Sequence, residues 1–141
     1  MDTIDPGRRS ENMSSIRSKN TKPELLLRSI LHKRGYRFRL HRKDLPGKPD
    51  LAFPQRRKVI FVNGCFWHHH AGCVDGRLPR TRQEYWLPKL TRNQERDAIA
   101  ILELQSLGWA VMVVWECELK APDLVMERLD RFLLKSSEIP L

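Results

Sequence analysis

No stretch of this sequence is long and apolar enough to cross a membrane. Its longest uninterrupted apolar run is WAVMVVW, Trp109 to Trp115, against the roughly 18 residues that a spanning helix needs. The opening residues, MDTIDPGRRSENMSS, have no apolar h-region, so a secretory signal is not expected and a cytoplasmic location is. Cysteine is scarce and odd in number: the three residues Cys65, Cys73 and Cys117 fit a disulfide framework poorly. In a reducing compartment they point to metal or thiol chemistry instead. There is no internal repeat and no low-complexity segment. Acidic residues are too few to balance the basic ones, with 17 Asp and Glu against 26 Lys and Arg and a formal net charge of +9. The basic residues recur along most of the chain, which favours a polyanion such as nucleic acid over a membrane surface as partner.

What is present is a chain of 141 residues, a single-domain length able to bury roughly two-thirds of its unfolded surface. Residues 1–20 are polar and turn-rich, with Met13 and Ile16 as isolated apolar points, and read as an arm that orders on a partner; residues 21–141 read as one domain. TKPELLLRSILHKRG has Thr21 and Glu24 at capping-box spacing, Pro23 in the first turn, an apolar face of Leu26, Leu27, Ile30 and Leu31, and a stop at Gly35, which predicts a helix. Tyr36 to His41 alternates apolar and basic residues with the period of a strand. LPGKP is a turn, and the short apolar runs Asp50–Phe53 and Lys58–Val62, separated by PQRR, predict an antiparallel hairpin. TRQEYWL reads as a short helix and Asn93 to Leu107 as a longer one ending at Gly108. Trp109 to Trp115 is a buried strand, and Pro122 to Lys135 a closing helix with Leu124, Val125, Leu129, Phe132 and Leu133 on its apolar face.

The class is therefore α/β, and the order of elements has a geometric consequence. The strand at 58–62, the helix at 93–107 and the strand at 109–115 form a βαβ crossover, so both strands run parallel and end at one edge of the sheet. Cys65 follows the first strand and Cys117 the second. Cys65, His70 and Cys73 have the spacing C-x4-H-x2-C, and Cys117 completes the three-sulfur, one-imidazole set that zinc takes in structural sites. Buried or free thiols are the alternative, since this spacing is not a common zinc-finger pattern. Asp50 opens the antiparallel strand and should lie roughly opposite Phe61 and Val62 at the same edge. Beside a main-chain carbonyl it suits magnesium, which takes one or two carboxylates plus water and phosphate oxygens; a strand-end residue that hydrogen-bonds locally is the other reading. His68 is then placed to move a proton. Three adjacent histidines cannot all face one ion.

The run VIFVNGCFWHHHAGC, with LPGKPDL before it and TRQEYWLPKLTRNQERD and GWAVMVVWEC after it, closely resembles the very-short-patch-repair (Vsr) family of DNA mismatch endonucleases. RSENMSSIRSKNTKPE is similar to that family's opening, and the likeness covers about residues 9 to 120. The resemblance implies a restriction-endonuclease-like fold, a central mixed β-sheet flanked by helices with a structural zinc. It also implies a magnesium-dependent nick in one strand of double-stranded DNA, 5′ to the thymine of a T:G mismatch left by deamination of 5-methylcytosine. By motif, Asp50 is the magnesium ligand, the Val62 carbonyl a main-chain ligand, His68 the proton-transfer group and Glu24 a supporting acid; Cys65, His70, Cys73 and Cys117 take zinc. Phe66, Trp67 and Trp86 match rings wedged into the base stack, which costs a few kcal/mol of stacking. Exposure is expected for Phe66 and Trp67, while core packing of a short helix is the alternative for Trp86. Met13 and Ile16 correspond to an arm approaching from the other groove, and Lys89 and Asn93 to mismatch-reading contacts. Asn63 departs from the pattern, standing where this family often has a second active-site histidine; it can hydrogen-bond but cannot act as a base near neutral pH. The implied setting is a monomer in the bacterial cytoplasm, with mismatch-repair proteins and a cognate cytosine methyltransferase as partners. A nickase of an unmismatched site or another lesion, and a zinc-stabilised DNA-binding module without catalysis, are the competing functions.

Overall fold

The computed structural model describes residues 21–68, 70–73 and 76–134; the expected arm, including Met13 and Ile16, lies outside them. Helix α1, Lys22–Lys33, begins where Thr21 Oγ1 accepts a hydrogen bond from the Glu24 amide, the side-chain cap anticipated from the sequence. It is followed by β1 (Arg39–Leu40), β2 (Leu51–Phe53), a 3₁₀ turn (Pro54–Arg56) and β3 (Lys58–Asn63). Helix α2 (Gln83–Ser106), β4 (Ala110–Trp115), a second 3₁₀ turn (Glu116–Lys120) and α3 (Pro122–Leu134) complete the chain order.

The sheet has the order β1-β2-β3-β4. The first two pairings are antiparallel and β3 and β4 are parallel, so the expected hairpin and crossover are both present. Side chains alternate across the sheet, as pleating requires. Leu51, Phe53, Ile60, Met112 and Val114 face a core closed by Leu27 and Leu31 of α1 and Val125, Leu129 and Leu133 of α3. Ala52 and Val59 face the other way, toward Leu104 and Trp109, where α2 covers the sheet. The result is a mixed four-stranded sheet between helices. Lys58 is buried and donates to the Phe132 carbonyl, tying β3 to the last turn of α3, whose carbonyls lack partners within the helix.

Several expectations change. Pairing in the first strand is confined to Arg39 and Leu40, an edge strand with both residues exposed, rather than running from Tyr36 to His41. The two helices expected at 81–87 and 93–107 are one helix of 24 residues that passes through Pro88. Proline removes one amide from the ladder, but Trp86, Leu90, Asn93, Ala100 and Leu104 are buried on either side of it, so tertiary packing carries the helix across. Leu26 and Leu124 lie outside the core, at 43% and 66% exposure; Met126 takes the place expected of Leu124. No helix among the described residues is long and apolar enough to cross a membrane.

Leu129→Ala should cost about 2–5 kcal/mol by leaving a cavity beneath the sheet, whereas Leu124→Ala should change stability by no more than about 0.5 kcal/mol. Urea unfolding of the two variants checks this assignment of the face of α3.

Candidate functional site

The C-terminal ends of β3 and β4 meet at one edge of the sheet, with Asn63 paired to Trp115. The chain leaving β3 makes a turn in which the amides of His68 and His70 donate to the carbonyls of Gly64 and Cys65. The chain leaving β4 enters the 3₁₀ turn that carries Cys117. Ligand atoms of Cys65, His70, Cys73 and Cys117 lie within 4.8 Å of one another, and Cys117 Sγ is 3.5 Å from His70 Nδ1. The His70 ring is stacked on Trp115 at 3.9 Å between centroids. Beyond Cys73 the chain folds back so closely that a Cβ at Gly76 would stand 2.4 Å from the His70 carbonyl oxygen, so only glycine fits there. Burial pushes the Cys65 thiol up to about 12, with the neighbouring thiols adding to the shift. Three facing sulfurs and an imidazole are a donor set suited to a soft divalent cation, whose charge would favour the thiolate form that burial disfavours at Cys65 and Cys117.

A second cluster lies on the other side of the same edge. Asp50 stands at the head of β2, and its Oδ2 accepts a hydrogen bond of 2.7 Å from the Val62 amide, which places it opposite Phe61 and Val62 as anticipated. The turn before it is fixed by Gly47, whose φ is +71° and where a Cβ would come 2.6 Å from Ala100 Cβ. His41, at the end of β1, donates its amide to the Asp50 carbonyl at 3.1 Å. Its Nε2 is 2.8 Å from Glu24 Oε2, an oxygen that also meets Arg28. Glu24 is only 2% exposed. Ligand atoms of Glu24, His41 and Asp50 lie within 4.8 Å of one another.

Asp50, Val62, Asn63, His68, Asn93 and Asp97 are among the residues lining a cleft of about 800 Å³. His68 Nδ1 is paired with Asp97 Oδ2, which fixes the ring and leaves Nε2 as the nitrogen to exchange a proton. His69 lies outside the described residues. Desolvation holds the Asp50 carboxyl above the ordinary carboxylate range, against the Val62 amide and the charges of His41, His68 and Arg28.

The aromatic residues are arranged differently from expectation. Trp67 and Trp86, each 6% exposed, pack with Leu90 in a small cluster against which Phe66 is half-buried. Exposure of Trp67 is therefore not found, and the packing alternative holds for Trp86. The loop and helix close on each other because Asn93 Nδ2 donates to the Trp67 carbonyl at 3.1 Å; Asn93 itself is buried. Lys89 Nζ caps the cluster, 5.2 Å from the Trp67 centroid and 5.7 Å from that of Trp86, a cation–π arrangement. Next to it a shallower hollow is lined by Tyr85, Lys89, Arg92 and Arg96.

His41, Arg28, Asp97, Tyr85, Arg92 and Arg96 were not anticipated from the sequence. Only Asp97 carried a signal, lying one helical turn beyond Asn93.

Residues 1–74 match the model of the family described as DNA mismatch endonuclease Vsr. The chain is 53% identical over 132 residues to the type II nicking enzyme V.XorIIP of Xanthomonas oryzae pv. oryzae, covering 94% of this chain and 96% of the relative. It is 42% identical over 132 residues to the type II nicking enzyme V.NmeAIP of Neisseria meningitidis serogroup A, covering 94% of each. With the DNA mismatch endonuclease Vsr of Escherichia coli K12 it shares 42% identity over 137 residues, covering 94% of this chain and 87% of the relative.

The raised pKa of Asp50 has a consequence for stability. Stability from a carboxyl raised on folding is complete below its unfolded value of about 3.9 and is lost as pH climbs through the folded value. Near neutrality ionised Asp50 is a cost to the fold. Asp50→Asn keeps an acceptor for the Val62 amide without the charge. With no divalent cation added it should gain on the order of 1 kcal/mol at pH 7, a difference that disappears below about pH 4. Thermal melts across that range measure it.

Proposed function

The chain belongs to the Vsr family of DNA mismatch endonucleases, and from that premise we propose that it is a magnesium-dependent, strand-specific enzyme that nicks duplex DNA 5′ to the thymine of a T:G mismatch. The observation that carries this reading is the single cleft lined by both Asp50 and the His68–Asp97 pair, a carboxylate for a hard cation beside an oriented imidazole. We assign the chain a restriction-endonuclease-like fold in which residues 21–141 form the endonuclease domain and residues 1–20 the DNA-contacting arm.

Asp50 and the main-chain carbonyl of Val62 hold magnesium, and Glu24 supports the site from α1. When bound, the ion supplies charge neutralisation at the phosphate and acidifies water. His68, steadied at Nδ1 by Asp97, moves a proton at Nε2 as water attacks in line. The products are a 3′-hydroxyl and a 5′-phosphate. Asn63 contributes a hydrogen-bonding amide and leaves proton transfer to His68. Cys65, His70, Cys73 and Cys117 hold a structural zinc that fixes the turn bearing His68.

Phe66, Trp67 and Trp86 form the wedge. Since two of these rings are packed away, entry into the base stack requires the Lys89-capped cluster to open, and a weakened T:G step lowers the unstacking cost that opening must meet. Lys89 and Asn93 contact the mismatch, Arg92 and Arg96 the phosphates beside it, and Met13 and Ile16 the opposite groove. Mismatch-repair proteins and a cytosine methyltransferase are the partners we assign to it in the cytoplasm, where it acts as a monomer. The names of the V.XorIIP and V.NmeAIP relatives, type II nicking enzymes, favour one other reading: a nickase tied to a modification system and indifferent to the mismatch.

End-labelled duplexes differing in one base pair, T:G or matched, separate the two. The proposed enzyme nicks the T strand of the mismatched duplex about 10²-fold faster or more, only with magnesium, and Asp50→Ala loses activity on the order of 10³-fold. Equal cutting of the matched duplex contradicts mismatch specificity. Cutting by the Asp50→Ala variant contradicts the metal ligand.

A further inference from the structure

We propose that His41 is a ligand of the cleft cation, so that the site is a Glu24–His41–Asp50 set that prefers manganese(II) to magnesium. The inference rests on the assignment of Asp50 as a cation ligand and adds a nitrogen donor to it. Three separate elements converge to make the set. The Thr21 cap orders the first turn of α1 and with it the buried Glu24. The backbone bond from His41 to the Asp50 carbonyl, together with a φ of +49° at His41, holds the imidazole beside the head of β2. All three residues offer donor atoms within 4.8 Å of one another. A β-strand would carry the chain away at His41; the left-handed conformation, uncommon for a non-glycine residue, turns it here instead.

Charge and donor chemistry then select the ion. The two carboxylates face a guanidinium, because Arg28 meets Glu24 Oε2 and its positive charge also acts on Asp50. The net negative charge presented to a cation is thus less than two carboxylates alone would give, which weakens the purely electrostatic hold on which magnesium depends. Magnesium also demands oxygen ligands and dehydrates reluctantly. A neutral imidazole adds affinity for first-row transition ions and little for magnesium. His41 Nε2, which is paired with Glu24 in this structure, is the atom that would turn to the ion.

The test uses the full chain loaded with zinc at its cysteine site, so that added manganese reports on the cleft. Manganese binding is followed by EPR, magnesium by competition, and the nitrogen ligand by electron spin-echo envelope modulation. The wild type should bind one manganese with ¹⁴N modulation. His41→Gln should lose the modulation and about 10- to 100-fold in manganese affinity with magnesium affinity nearly unchanged, while His68→Gln keeps the modulation. Circular dichroism verifies folding, and His41→Asn replaces the glutamine variant if that one is unfolded. Modulation or manganese preference that survives removal of His41, with binding abolished by Asp50→Ala, overturns the role of His41 alone. Manganese binding unchanged in Asp50→Ala overturns this inference together with the assignment of Asp50 on which it rests.

Discussion

The parallel pairing of β3 with β4, in register from Lys58–Ala110 to Asn63–Trp115, is the constraint on which the rest of the molecule's chemistry depends. Parallel strands end on the same side, so the turn after β3 and the turn after β4 are neighbours although some fifty residues of sequence separate them. Cys117 reaches Cys65, His70 and Cys73 for that reason, and Trp115 comes to lie flat against the His70 ring. The crossover helix α2 that makes the strands parallel also delivers Asp97 to His68 and Asn93 to the Trp67 carbonyl. Because β2 is antiparallel to β3, its first residues lie at that edge too, and Asp50 meets the Val62 amide there.

One sheet edge therefore gathers two clusters that could each hold a cation, of opposite donor character. The sulfur-rich set is closed and built from turns, and it can restrain a loop that has little regular structure of its own. The Glu24–His41–Asp50 set is oxygen-rich, and Asp50 opens onto the cleft. His68 belongs to the turn that carries Cys65 and His70, and it lines the cleft onto which Asp50 opens. The aromatic cluster is attached to the same turn, so anything that opens the rings acts on the segment that carries the histidine.

The hairpin, the crossover and the convergence of Cys65, His70, Cys73 and Cys117 were legible because short apolar runs with turn residues between them leave few topologies, and topology brings distant residues to one edge. Asp50 was legible for the same reason: the PQRR connection fixes which residue of β3 it faces. Contacts made between elements were not. Pro88 marks a break locally, yet burial on both sides of it keeps α2 continuous. Trp67 and Trp86 look alike in sequence whether exposed or packed, and their burial depends on how the turn after β3 lies against α2. His41 ends an alternating run that gives no hint of its left-handed backbone or of its approach to Glu24.

An ion held by Cys65, His70, Cys73 and Cys117 is proposed to position His68 through the turn that carries it, without taking part in cation binding at the cleft. Cys117→Ala tests it most directly, since that residue is a candidate ligand remote in sequence from the turn. At a temperature where the variant is folded, single-turnover nicking of a T:G duplex should fall about 10- to 100-fold while manganese affinity at the cleft stays at its wild-type value. A variant that has lost the soft ion and still nicks at the wild-type rate would contradict the account.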